Sequence, residues 1–256
     1  MSDERNNNYT IMEGYELPSG GVIYDTKVNK HVELRAMTAR DEMKRLSPSS
    51  TPLKTLADII ESCLLEKLGI HVYDLCLGDY EYLLHKLRII TYGPNYRVTI
   101  NCPECGEFIE TDANLDELEL KEFDQNAFEE LRTFQLPSSK KLVVLRPTTP
   151  RILDTIEARI KELNRKYKGA GFDFETLVKL EEAIESIDGE ALSIPDLETT
   201  INNLPAMDMA KILNNLTKID QSIGLDNILY LSCPKCGAEF KNFFRFGPEF
   251  FRPTTI

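Results

Sequence analysis

Cys102-Pro103-Glu104-Cys105-Gly106 occurs a second time in the chain as Cys233-Pro234-Lys235-Cys236-Gly237, with a change only at the third position. A Cys-x-x-Cys pair followed by glycine places two thiolates on one tight turn. Two such turns supply the four sulfur ligands that a structural zinc ion takes tetrahedrally. The repeated motif therefore predicts both a metal site and a duplicated chain.

Apolar alternation on both sides of each motif predicts that the cysteine turns lie at the tips of β-hairpins. Strands are expected at 96–100 and 107–111 around the first motif, and at 227–231 and 238–243 around the second. This is the arrangement of a zinc ribbon, a closed site with no open coordination position. We predict a structural Zn²⁺ held by four ligands: Cys102, Cys105, Cys233 and Cys236.

Two other interpretations of the cysteine pairs stay open from the sequence. In a redox Cys-x-x-Cys of the thioredoxin type, a following helix lowers the pKa of one thiol, whereas strand-like alternation follows both pairs in this chain. The other interpretation is two hairpin turns without metal. Cys63 and Cys76 stand among apolar residues and are expected to be buried without a chemical role.

A further set of repeated residues opens the two halves of the chain. Leu17-Pro18-Ser19 is matched by Leu136-Pro137-Ser138, and each is followed by a strand ending in Leu-Arg and by a helix-capping threonine, Thr38 or Thr149. Two long repeats indicate duplication rather than a solenoid, for which at least three are expected. The predicted fold class is α+β, with two pseudo-symmetric units of hairpin plus helices joined by a zinc-ribbon-like pair of Cys-x-x-Cys hairpins.

The predicted domain organisation has four parts. Residues 1–13 form a disordered N-terminal arm, 14–124 the first α+β repeat, 125–135 a linker, and 136–256 the second repeat with a phenylalanine-rich C-terminal tail. An opening hairpin is expected from turn and strand at 15–24 and a strand at 31–35. Helical periodicity predicts six helices, over 38–46, 53–69, 79–91, 150–163, 172–187 and 205–219.

The tail contains six phenylalanines within twelve residues: Phe240, Phe243, Phe244, Phe246, Phe250 and Phe251. Buried aromatic rings contribute strongly to core stability, so we expect these rings to complete the core of the second repeat. The alternative is a docking surface, since large exposed apolar patches mark partner sites.

Charge and composition limit the classes of function. The 256 residues carry a formal net charge of −12, so the chain has no overall positive field to attract nucleic acid. Neither a membrane-spanning apolar run nor a signal-peptide pattern is found in the sequence, and a cytoplasmic protein is expected. The three histidines, His31, His71 and His85, have no partner at a spacing typical of catalysis, so we expect a non-enzymatic protein.

The ordered series of motifs resembles a known family. It comprises Leu17-Pro18-Ser19, Leu34-Arg35, Met37-Thr38 with Arg40-Asp41-Glu42, Leu87-Arg88-Ile89, Tyr92-Gly93-Pro94 and Cys102-Pro103-Glu104-Cys105-Gly106. Over about residues 15–124, it is similar to the baseplate hub assembly proteins of T-even-type contractile-tailed bacteriophages, and the second half joins through the internal repeat.

This resemblance implies a non-enzymatic protein that helps to build the tail baseplate hub, as a structural component or as an assembly chaperone. It implies other baseplate or hub proteins as partners, with self-association left open, and the host cell cytoplasm during assembly as the location, with the virion baseplate as a second one. The alternative function is a zinc-ribbon nucleic-acid-binding regulator, for which the local basic candidates are Lys235, Lys241, Arg245 and Arg252.

Overall fold

The structure is a computed structural model that describes residues 11–168, 171–243 and 248–251. In the first half, a hairpin of two strands is followed by three helices and then by the hairpin that carries the first cysteine pair. These elements are β1 Met12–Glu16, β2 His31–Arg35, α1 Ala39–Leu46, α2 Pro52–Cys63, α3 Leu77–Tyr92, β3 Asn95–Asn101 and β4 Phe108–Asn114.

The second half has the same general composition of strands and helices. Its elements are α4 Gln125–Arg132, β5 Thr133–Gln135, β6 Leu142–Leu145, α5 Pro150–Lys166, α6 Phe174–Ala183, β7 Ile184–Ile187, α7 Ile194–Asn202, α8 Ala206–Gln221, β8 Ile228–Ser232 and β9 Glu239–Phe243. Strands β5, β6 and β7 form one antiparallel sheet, and the other strands form antiparallel pairs. The chain is thus an α+β protein.

Both predicted helix caps are present. At α1, Thr38 and Asp41 form a capping box, and Asp41 also accepts a hydrogen bond from Arg35 at 2.8 Å. At α5, the Thr149 side chain accepts from the backbone N–H of Ile152 at 3.2 Å. Each cap fixes the point at which the chain turns from a strand into a helix.

Two predicted helices end earlier than expected, and both do so for the same reason. The helix predicted over 53–69 ends at Cys63, because Leu64 leaves it to form a β-bridge with Leu34. The helix predicted over 172–187 ends at Ala183, because the next four residues form β7 and pair with β6. In both halves the chain returns to the second strand directly after a helix.

The structure also differs from the predictions at the segment between the halves and at the start of the chain. The segment 125–135, predicted as a linker, is helix α4 followed by strand β5. The first strand begins at Met12, inside the predicted disordered arm, and 17–26 is turn and irregular backbone rather than strand. The rest of the arm, 1–10, lies outside the described residues. The division of the chain into two domains stays a prediction.

The core of the described residues has two large clusters, and the cluster of the first half receives a segment that follows the second cysteine hairpin. Phe250 and Phe251, each 1% exposed, belong to the cluster of α2 and α3 in the first half. Phe128 of α4, also 1% exposed, belongs to the cluster of the second half. The expectation that the tail completes the second core is therefore wrong for these two rings. Phe243 is exposed, and Phe244 and Phe246 lie outside the described residues.

The two halves approach each other closely where α3 begins and α8 has just ended. A Cβ atom added to Gly78 would lie 2.5 Å from the carbonyl oxygen of Ile223, so a larger residue does not fit there. Beside it, Leu120 forms an antiparallel bridge with Leu225, and the N–H of Lys121 donates to Gly224 at 3.0 Å. Backbone contacts therefore connect the halves at the segment between α8 and β8.

Candidate metal centre

Each cysteine pair lies on a tight turn at the tip of its hairpin, as predicted. The N–H of Gly106 donates to the carbonyl of Cys102 at 3.0 Å, and the N–H of Gly237 donates to that of Cys233 at 2.9 Å. Gly106 and Gly237 have φ values of 71° and 72°, a region in which residues with a Cβ are strained. Glycine after the second cysteine thus allows both turns to adopt one conformation.

The hairpins bring all four predicted ligands together, with their sulfur atoms within 4.8 Å of one another. The closest pairs cross between the hairpins: Cys102 Sγ lies 3.8 Å from Cys236 Sγ, and Cys105 Sγ lies 3.6 Å from Cys233 Sγ. Sulfurs bound at about 2.3 Å to one tetrahedral zinc ion stand about 3.8 Å apart, whereas disulfide sulfurs stand about 2.05 Å apart. The four free thiols therefore have the spacing of metal ligands.

Backbone groups around the sulfurs favour thiolates. The N–H groups of Cys236 and Lys235 donate to the Cys233 sulfur and lower the pKa of this thiol to about 7. At Cys105 the N–H of Glu107 acts in the same direction, but desolvation and the neighbouring sulfurs raise the pKa to about 12. Four thiolates repel one another in so small a space unless a cation neutralises them, so the donor set fits a divalent metal ion.

The cluster has an apolar inner side and a polar outer side. Cys102 and Cys233 are 2% exposed and form a small core with Ile109, whereas Cys105 and Cys236 are exposed. On the outside, Lys235 of one turn and Glu107 beside the other form an ion pair at 2.5 Å. The identical spacing of the motifs predicted the meeting of the cysteines, but nothing in it indicated this ion pair.

The other candidate residues lie away from this cluster. Cys63 and Cys76 are buried, and burial raises the pKa of Cys63 to about 11. His85 is also buried, and burial lowers its pKa to about 4. The imidazole of His71 accepts a hydrogen bond from the N–H of Tyr73 at 3.1 Å, and His31 is an exposed residue of β2.

Sequence reasoning missed two aspartates that hold the repeated Leu-Pro-Ser turns. Asp79, the third residue of α3, accepts hydrogen bonds from the Ser19 N–H at 2.9 Å and the Tyr24 hydroxyl at 2.6 Å. Asp208, the third residue of α8, accepts from the N–H groups of Ser138 and Ser139 at 2.7 and 2.9 Å. An aspartate two residues into each 16-residue helix was the signal available in the sequence.

The basic residues near the cysteines have local partners in the described chain. Lys235 is paired with Glu107, and the Lys241 ammonium group lies 5.1 Å from the ring centroid of Tyr230. Arg245 and Arg252 lie outside the described residues. The nucleic-acid alternative therefore gains no basic stripe from the residues placed beside the cysteine cluster.

The fold and the site define a class of protein: an α+β chain in which two distant Cys-x-x-Cys hairpins meet in a four-sulfur cluster compatible with a metal ion. None of the helices within the described ranges has the length and apolar character needed to cross a membrane. The chain belongs to the T4 bacteriophage base plate protein family, whose model matches residues 15–252. Searches of curated proteins and of solved structures found no match.

The family match confirms the resemblance drawn from the sequence motifs at the level of a T4-type phage baseplate protein. A baseplate protein takes part in contacts with other structural proteins of the phage and is associated with the virion. The match extends through both cysteine hairpins, so the cluster lies within the part of the chain that defines the family.

Proposed function

We propose that this chain is a non-enzymatic assembly protein of the baseplate hub, acting as a structural component or as an assembly chaperone through protein–protein contacts. The observation that carries the proposal is the family match over residues 15–252. Other hub or baseplate proteins are the proposed partners, met in the host cell cytoplasm during assembly and, for a component, retained in the virion baseplate. The net charge of −12 is consistent with protein rather than nucleic-acid partners.

We further propose that the metal is a structural Zn²⁺ bound by Cys102, Cys105, Cys233 and Cys236. The sulfur spacing supports a tetrahedral ion, and four protein ligands leave no position for a substrate. When bound, the ion supplies the positive charge that four thiolates require. Because two ligands come from each half, metal affinity becomes free energy that holds the halves together.

The third part of the proposal is that the halves are pseudo-symmetric repeats. Its support is a shared order of elements: strand, Leu-Pro-Ser turn, strand, two helices, a 16-residue helix and a cysteine hairpin. The second half has two further elements, β7 and α7, between its second helix and α8. The reciprocal sulfur pairs, Cys102 with Cys236 and Cys105 with Cys233, are those expected for two motifs related by a two-fold axis. Asp79 and Asp208 holding equivalent turns add a match that is distant from the cysteines.

The hub proposal is tested by tagging the protein in infected cells and comparing assembly intermediates with purified virions by mass spectrometry. A structural component co-purifies with hub proteins and is present in virions, whereas a chaperone co-purifies with hub proteins and is absent from virions. Association with neither would overturn the proposal.

The zinc proposal is tested by measuring metal content and thermal unfolding of protein purified without added metal. We expect one zinc per chain, and loss of zinc and of stability in Cys105→Ser and in Cys236→Ser. Cys63→Ala is the matched control, since it removes a buried thiol outside the cluster and should keep the zinc. Thiol–disulfide turnover by a stable, metal-free wild-type protein would instead favour the redox interpretation.

A further inference from the structure

One surface of the second half combines exposed aromatic rings with exposed basic side chains. Helix α5 has 17 residues, whereas α1, at the matching place in the first half, has eight. Three aromatic residues follow the C-terminal end of α5: Tyr167, Phe172 and Phe174. The rings of Tyr167 and Phe172 lie 5.6 and 5.2 Å from that of Phe174. Tyr167 is 45% exposed and Phe172 is 52% exposed, so both rings offer apolar area to solvent.

The same surface is positively charged within an acidic protein. Arg165, Lys166 and Lys168 are exposed and make no ion pair to any residue that the structure describes, and the Lys166 ammonium group lies 5.1 Å from the ring centroid of Tyr167. Basic residues at a helix C-terminus stabilise the helix dipole, which explains part of this pattern. That effect does not explain the neighbouring exposed rings, which are typical of a contact surface. We define the aromatic–basic surface by five residues: Arg165, Lys166, Tyr167, Lys168 and Phe172.

A complementary surface lies elsewhere on the same chain. Glu117, Glu119 and Glu122 are exposed, and Leu120 among them is 51% exposed. The backbone of this acidic segment, 117–122, is held in place: the Asp226 N–H donates to the Glu119 carbonyl at 2.8 Å, beside the Leu120 bridge. The segment therefore presents three carboxylates, one lysine, Lys121, and the exposed side chain of Leu120 on a fixed backbone.

We propose that the aromatic–basic surface of one molecule binds the acidic segment of a second copy of the chain. Charge complementarity favours this occupant, because the segment has three carboxylates against one lysine and offers Leu120 to the exposed rings. The two surfaces differ, so the contact is head-to-tail and leaves one surface of each kind free at the ends of an assembly. The net charge of −12 makes a nucleic acid the weaker candidate for the same surface.

Sedimentation velocity over a range of protein concentrations tests the contact. We expect the wild type to form species heavier than the 29.2 kDa monomer as concentration rises. Arg165→Glu/Lys166→Glu/Lys168→Glu and, separately, Tyr167→Ala/Phe172→Ala should remain monomeric. The control, Lys27→Glu/Lys67→Glu/Lys218→Glu, makes the same change in net charge at exposed positions outside both surfaces and should associate like the wild type.

A charge exchange tests the identity of the occupant. Glu117→Lys/Glu119→Lys/Glu122→Lys should be monomeric alone, whereas its mixture with the triple glutamate variant of the basic surface should regain association. Circular dichroism checks that each variant is folded.

A wild type that stays monomeric, or a basic-surface variant that associates normally, would overturn the proposal. The proposal would also be overturned if the wild type bound a labelled single-stranded oligonucleotide and the basic-surface variants lost this binding but associated like the wild type. Neither zinc content nor hub binding enters these measurements, so the earlier proposals stand or fall separately.

Discussion

The two halves of the molecule differ in how their cores are completed. The second core receives Phe128 from α4, which directly precedes β5, whereas the first core receives Phe250 and Phe251 from a segment that follows the second cysteine hairpin. Phe128 belongs to the second half itself, but Ile23 of the first half is buried in the second core, as Phe250 and Phe251 of the second half are buried in the first. The halves are therefore interlocked by side chains as well as joined at the sulfurs, and we expect them to unfold together.

The largest effect should come from removing rings that complete the two cores. Phe251→Ala and Phe128→Ala each leave a large cavity at a site 1% exposed, so each should lower the free energy of unfolding by about 3–5 kcal/mol. Denaturant unfolding followed by circular dichroism should show one transition for both variants. Two separate transitions in either variant would show that the halves fold independently. Phe243→Ala, at an exposed ring, is the control.

The next prediction concerns the pH dependence of stability, to which only the first half contributes a partly buried glutamate at this helix position. Burial raises the pKa of Glu81 in α3 to about 7, and the second half has alanine, Ala210, at the matching position of α8. A raised pKa means that the folded state binds the proton more tightly. The contribution of Glu81 is thus complete below about pH 4.5 and is lost as pH rises through 7.

Glu81→Gln removes this loss, and at pH 8 we expect it to be more stable than the wild type by up to about 3 kcal/mol. At pH 4 the two proteins should differ little. Unfolding free energies of both proteins across pH 4–8 make the comparison, with Glu66→Gln at an exposed site as the control. A stability difference that does not change with pH would contradict the assignment.

A smaller effect is expected at the aspartates that hold the two turns. Asp79→Ala leaves the hydroxyls of Ser19 and Tyr24 without their acceptor, and it should lower stability by about 2 kcal/mol. Asp208→Ala removes an acceptor for the backbone N–H groups and the side chains of Ser138 and Ser139. Both serines are exposed, so water can replace the lost acceptor, and a smaller shift in melting temperature is expected. Calorimetry of both variants decides the order. The reverse order would mean that the turns are held by different contacts.

The smallest effect should be equal in the two halves. Gly106 and Gly237 share a positive φ, and a Cβ at either position would meet no atom within 4 Å. Alanine at either site should therefore lower stability only through backbone strain, by about 1 kcal/mol. Thermal melts of the two variants are compared directly. Clearly unequal shifts in melting temperature would show that the two turns are not equivalent.

The sequence predicted local elements better than the contacts between them. Caps at Thr38 and Thr149 and the long helices α3 and α8 follow from side-chain chemistry and periodicity within a few residues, and they are confirmed. The predicted helix ends at 69 and 187 were wrong, because β-pairing with a distant strand stops these helices at Cys63 and Ala183 although the local pattern continues. Similarly, the composition of the tail predicted burial but could not tell which core Phe250 and Phe251 enter.

The candidate site was more predictable than the fold. Two short motifs with the same spacing were enough to select the four cysteines that the structure brings within 4.8 Å. Their crossed pairing and the Lys235–Glu107 ion pair depend on how the two hairpins face each other. No local sequence pattern encodes that arrangement, since it arises from packing between residues more than 100 positions apart.

The placement of Phe250 and Phe251 also sets an order of events during synthesis. Residues 248–251 leave the ribosome only after both halves and both cysteine hairpins have been made, yet they fill the core of the half that emerges first. A nascent chain can form the early helices, but it cannot close their core or assemble four sulfurs. A chain whose synthesis stops before Phe250 therefore leaves apolar surface of the first core exposed. Only a chain synthesised as far as Phe251 has both cores complete when it meets a baseplate partner.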